Sequence, residues 1–194
     1  MQYWLHRIAH LENVSYPLLD NGYLSIGFSD FCTDKFFNMV AEKQEWNYLE
    51  NDFNDHWGYL PKSRYNLWRF ISEMNKGDWV IVPSWGIFSI YELCDKLPIM
   101  ATDNKIKLPE EDWNGKKIIR DKGTGFLKLE SEKDYLDIGF LRKVKLIYKD
   151  ISRSDYADAA LTSRMKIRNT NADISDLETN IKNALSACKN NRPI

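Results

Sequence analysis

Nucleophilic catalysis, phosphate cradling and metal-assisted hydrolysis each need a recognisable residue set, and this sequence supplies none of them. Cys32, Cys94 and Cys188 sit outside any nucleophile motif, and no GxSxG elbow occurs. Gly123-Thr124-Gly125 lacks the GK[ST] ending of a P-loop and reads as a hairpin turn. A nuclease of the PD-(D/E)xK kind needs two acids and a lysine around a metal, but the D-x-K string Asp103-Asn104-Lys105 falls in a polar stretch, not at a strand end. His6, His10 and His56 form no ligand pattern with the cysteines, which include no CxxC pair. The expectation is a chain without catalytic residues, metal or cofactor: a binding protein, not an enzyme.

What the sequence does supply is rings. Trp 7, Tyr 10 and Phe 9 in 194 residues are enough to fill a core and still line a pocket that stacks planar ligands. The formal net charge of -1 gives no global field toward a polyanion, which argues against indiscriminate nucleic-acid coating. A small basic pocket reading one base or phosphate remains compatible with it. The length suits one large domain, or one domain with a small appendage. MQYWLHRIAH lacks the basic head and long apolar run of a signal peptide. No run approaches the ~20 apolar residues of a membrane span. With the cysteines read as reduced thiols, a cytoplasmic location without a membrane partner is expected.

The elements that must position these rings follow from periodicity. Tyr3 to Ile8 alternates and reads as a strand. Ser15 opens a short helix with Pro17 early and Asn21-Gly22 closing it. Tyr23 to Phe28 is a second strand, whose Gly27 marks a bulge or a close approach to the backbone. Asp34 to Leu49 recurs at helical spacing, Asn51 to Pro61 reads as an ordered loop, and Ser63 to Met74 is the clearest helix. Lys76-Gly77-Asp78 turns into the strand Trp79 to Pro83, with Ile87 to Leu93 as its hairpin partner. Further strands are expected at Lys116 to Arg120, Gly125 to Glu130 and Arg142 to Tyr148, with Thr102 to Asn114 irregular. From Ser152 onward the pattern is helical, with a last helix opened by Asp173 to Asp176.

The order YW-x-x-R, GYLSIGFSDF, NLWRFISEMNKGDWVIVPS and FSIYEL resembles the N-terminal domain of Mrr-type restriction-system proteins, which is PUA-like and related to the EVE and YTH readers. The similarity covers Met1 to Leu93, and more loosely Lys143 to Tyr148. Two positions depart from the family pattern: Phe28 stands where a Trp is frequent, and Phe88 to Leu93 lacks the usual glycine. The resemblance implies an α+β fold, a PUA/EVE-like curved sheet closing into a pseudo-barrel flanked by helices, over residues 1–150; the helical pattern that follows marks a tail at 151–194. It also implies a cleft for a flipped or modified base.

By position, Trp4, Ser25, Phe28, Ser29, Asp30, Trp68, Arg69, Ser84 and Trp85 are the candidates for lining that cleft. Each has a plainer role. Trp68 lies on an apolar helical stripe, and Arg69 beside it suits a solvated or salt-bridged group. Trp4 and Leu5 point to opposite strand faces, so one must leave the core. Ser29-Asp30 suits a helix cap before Asp34. Trp85, in a hairpin loop, is the ring hardest to explain by packing. In the run from Arg142 to Lys149, Lys143, Lys145 and Lys149 share one strand face, which would form a phosphate-facing ribbon or a solvated outer face.

The function expected from the resemblance is a sensor of a modified DNA base, with DNA favoured over RNA, serving a restriction or defence system. Its effector nuclease would lie elsewhere on a longer chain or on a separate protein. Two other readings stay open: a protein-interaction module dimerising through the helices of Tyr156 to Cys188, and a sensor of a small planar molecule such as a nucleotide.

Overall fold

The computed structural model describes residues 1–8 and 10–193. It is α+β, with a curled mixed sheet that forms a half-barrel flanked by helices. Strands β1 (Tyr3–His6), β2 (Tyr23–Ile26), β3 (Trp79–Pro83), β4 (Ile87–Leu93), β5 (Ile99–Met100), β8 (Phe140–Ser152) and β9 (Asn171–Asp173) make up the sheet. The order is β2-β8-β4-β3-β1-β9, with β5 also on β8, while β6 (Ile118–Arg120) and β7 (Leu127–Leu129) form a separate hairpin. The long β8 shapes the curl. Its first residues pair with β2 and β5, and from Val144 onward it pairs with β4 through two register shifts.

The helices are α1 (Glu12–Asp20), α2 (Asp34–Phe36), which continues as a wider turn to Glu42, α3 (Trp46–Trp57), α4 (Arg64–Trp68), which widens through Arg69–Glu73, α5 (Arg153–Tyr156), α6 (Ala159–Arg164) and α7 (Glu178–Lys189). Asn51 to Trp57, expected as loop, is the second half of α3. Its polar composition hid the spacing of Leu49, Phe53 and Trp57, which puts three apolar side chains on one helical face. Helix α1 starts at Glu12, before the expected Ser15, and Pro17 falls inside it. A proline cannot donate to the carbonyl four residues back. The Asn13 carbonyl instead accepts the Trp113 amide at 2.9 Å, and the Trp113 ring stacks on Tyr16 at 4.7 Å.

The sheet is buried on both faces. Trp4, Val80, Val82, Tyr91 and Phe140 pack against α2, α3 and α4. Tyr3, Leu5, Ile81, Phe88 and Ile90 pack against α6 and α7. Neither Trp4 nor Leu5 therefore leaves the core, because the segment after Ser152 covers the second face. That segment is not purely helical, since Asn171–Asp173 pairs antiparallel with β1. The apolar side of α7, with Ile181, Ala184 and Leu185, lies on the sheet. A third cluster, including Val14, Tyr23, Leu127 and Ile138, joins α1, β2 and the β6–β7 hairpin.

Arg142 is fully buried, on the strand face opposite Lys143 and Lys145. The widened turn after α4 (the Met74 amide reaches back to the Arg69 carbonyl) leaves carbonyls unpaired, and Arg142 supplies their donors. It donates to the carbonyls of Phe70 (2.9 Å), Ile71 (3.2 Å), Met74 (2.6 Å) and Lys96 (2.7 Å). Burial pulls its pKa down to about 10, with Asp78 and Asp95 opposing. Among the described residues, no helix is long and apolar enough to cross a membrane.

Candidate functional site

Between β1 and β2 the half-barrel is joined by side chains and not by a strand ladder. His6, the last residue of β1, is buried, with Nε2 3.1 Å from the Ser25 carbonyl of β2 and Nδ1 2.5 Å from Oδ1 of Asn171 in β9. The Asn171 amide nitrogen donates to the Asn66 carbonyl at 2.8 Å, which turns its oxygen toward His6. Both ring nitrogens thus face acceptors. Burial nevertheless holds the imidazole neutral, its pKa lowered to about 4 against the pull of the two hydrogen bonds. A neutral ring carries one N–H for two acceptors, so this seam is under-satisfied.

Just beyond it the chain opens into a hollow of about 290 Å³, at the lower end of the roughly 300–1,000 Å³ of small-molecule sites. Ile8, Ile26 and Ile138 give it apolar walls, and Phe28 and Trp57 give it rings. These two rings lie 6.3 Å apart and 27° from parallel. Phe28 holds a left-handed φ of 68°, a conformation that costs a bulky residue free energy and often accompanies function. The Trp57 indole N–H donates to Asp30 Oδ2 at 3.3 Å, which fixes that ring from behind.

The polar group of the hollow comes from the segment before β8. Gly139 donates to the Ile26 and Gly27 carbonyls at 3.0 and 3.1 Å. A Cβ at Gly139 would meet the Phe28 carbonyl at 2.5 Å, so only glycine permits this backbone contact. The contact brings Asp137 over the end of β2. Its Oδ1 accepts the Ser29 amide at 2.8 Å and the Ser29 hydroxyl at 2.9 Å. Its Oδ2 lies 3.5 Å from Nε2 of the exposed His10.

Of the expected residues, Ser25 and Phe28 line this hollow, and Ser29 and Asp30 support it through Asp137 and Trp57. Ser29 and Asp30 do not cap the next helix, since Thr33 accepts the Phe36 amide there. Trp4 is in the core at 2% exposure and its indole donates to Asp78 Oδ2 at 3.1 Å. Trp68 meets Trp46 edge-on at 5.2 Å, and Arg69 donates to the Asn171 carbonyl at 3.1 Å; both lie outside the hollow. Ser84 and Trp85 border a second hollow of about 270 Å³ together with Glu12, Tyr16 and Arg153. Arg7 and Ile8 line both hollows, making them neighbours. Trp85 is 90% exposed, and Arg153, on the same hollow, donates to the Ser84 carbonyl at 2.7 Å. Lys143 and Lys145 are exposed on β8 away from both hollows, and Lys149 pairs with Asp20 at 2.7 Å.

Sequence reasoning missed His6, Trp57, Asp137 and Thr170 as part of this wall. Trp57 carried a signal in its helical spacing from Phe53. Asp137 carried none, because its place depends on a backbone contact between segments over a hundred residues apart. Among the described residues, no cluster of three or more His, Cys, Asp or Glu could hold a metal ion. Comparison of the chain with protein-family models, with curated proteins and with solved structures returned no match.

Proposed function

We propose that this protein reads a single planar base, with the hollow between β1 and β2 as its seat. The observation that carries the reading is the pairing of Phe28 and Trp57 beside the Asp137 carboxylate, in a cavity open to water at the unclosed seam of a half-barrel. Extruding a base costs a few kcal/mol, and stacking returns about 1–3 kcal/mol per base. The rings alone therefore about break even, and contacts to the base edge must supply the net affinity. Together with the resemblance to PUA/EVE-like domains, this supports a non-enzymatic sensor of a modified DNA base, working in the cytoplasm with a restriction-type effector nuclease. The second hollow continues the path, with Trp85 beside it for the neighbouring nucleotide, while Arg7, which lines both hollows, is held by the Ile167 and Met165 carbonyls.

A panel of oligonucleotides differing only in cytosine and adenine modifications tests this. One modified base should bind best, and Trp57→Ala should weaken that complex roughly tenfold through lost stacking. No binding across the panel, or equal binding by wild type and variant, would contradict the assignment. A free planar molecule is the second reading, favoured by Glu12 and Asp137, acids near the mouths of the hollows that a polyanion would have to approach. Tighter binding of nucleosides than of oligonucleotides would select it.

A further inference from the structure

We infer that Asp137 makes the hollow selective for bases with an amino edge, cytosine and adenine derivatives, over bases that present only carbonyls and a ring N–H; this rests on the reading of the hollow as a base seat. The wall's other polar side chains are ambiguous or occupied. Both His6 nitrogens are engaged, Arg7 donates to the Ile167 and Met165 carbonyls, and His10, Ser15, Ser25 and Thr170 carry groups that donate or accept as the partner requires. A carboxylate only accepts. One oxygen of Asp137 is saturated by Ser29, and that pinning directs the other across Gly27 at the lip of the hollow, where His10 Nε2 lies 3.5 Å from it and leaves it room to accept a second donor. That oxygen is suited to the exocyclic N–H of cytosine or adenine, as acidic side chains are to the cytosine amino group in duplex recognition. It repels the carbonyl oxygens of uracil, thymine and hypoxanthine.

A consequence concerns modification. A methyl on carbon, or one methyl on the amino nitrogen, leaves an N–H for Asp137, whereas dimethylation removes it. Dialkylated bases are excluded.

The test uses single-stranded oligonucleotides of one sequence carrying cytosine, 5-methylcytosine, adenine, N6-methyladenine, N6,N6-dimethyladenine, uracil or hypoxanthine at one position. The matching free nucleosides form a second arm that separates polymer from monomer recognition. Wild type should favour the N–H-bearing amino bases by roughly tenfold or more, the scale of a hydrogen bond to a charged group. Asp137→Asn keeps an oxygen for Ser29 and turns the other acceptor into a donor, so it should reverse the order toward uracil and hypoxanthine. Equal wild-type affinity for amino and carbonyl bases would overturn the inference, whatever the variant's stability. So would an Asp137→Asn protein that keeps the wild-type order. A wild type that binds no probe would instead overturn the base seat itself, and the inference with it.

Discussion

A Cβ placed on Gly27 would lie 2.6 Å from Oδ2 of Asp137. Gly27 has no left-handed φ, so the carboxylate, and not backbone conformation, excludes a side chain there. Gly27→Ala should displace Asp137 from the lip of the hollow at a stability cost within about 1 kcal/mol, typical of a mild change away from the core. Base binding should fall roughly tenfold in the same protein. Titration of wild type and variant, with thermal melting alongside, checks both halves.

His6 makes stability depend on pH. Its folded pKa of about 4 lies below the ordinary histidine value of 6.5, so the unfolded chain takes up a proton that the folded chain refuses. The contribution is full above pH 6.5 and is lost as pH falls toward 4, in total about 3 kcal/mol. Urea denaturation across that window should show the loss. His6→Gln, whatever its absolute stability, should flatten the dependence.

Arg142 and Lys149, both on β8, should respond very differently to mutation. Arg142→Ala leaves buried carbonyls of Phe70, Ile71 and Met74 without donors and should cost at least about 3 kcal/mol. Lys149→Ala removes an exposed ion pair with Asp20 and should change stability by no more than about 1 kcal/mol. Chemical denaturation of the two variants measures the contrast.

Trp85→Ala should leave the melting temperature unchanged, the ring being 90% exposed. It should weaken oligonucleotide binding and spare nucleoside binding, since the ring borders the second hollow and not the first. Arg69→Ala belongs with the structural variants. Its guanidinium ties α4 to β9 at the Asn171 carbonyl, and its loss should lower stability by about 1 kcal/mol.

The legible parts of the fold were those written in local order. The Gly77-Asp78 turn, the β3–β4 hairpin and the strand at Tyr23 stand where periodicity and turn residues put them, and Gly27 does mark a close approach. Composition misled at Asn51 to Trp57, where Asn and Asp occupy the solvent side of a helix whose other side buries Leu49 and Phe53. The tail's strand was illegible because Asn171–Asp173 is extended only by pairing with β1. In the site, Ser25 and Phe28 could be read from the end of β2. Their partners His6, Trp57, Asp137 and Thr170 come from four other segments, and only the folded sheet brings them together.

On the proposed reading, one base enters the seam between β1 and β2. Amide chemical-shift mapping during titration with the best-binding modified oligonucleotide tests it most directly. Seating of a base predicts the largest changes at Gly27, Phe28, Trp57 and Ile138. Changes confined to the exposed lysines of β8, with the seam unmoved, would contradict it.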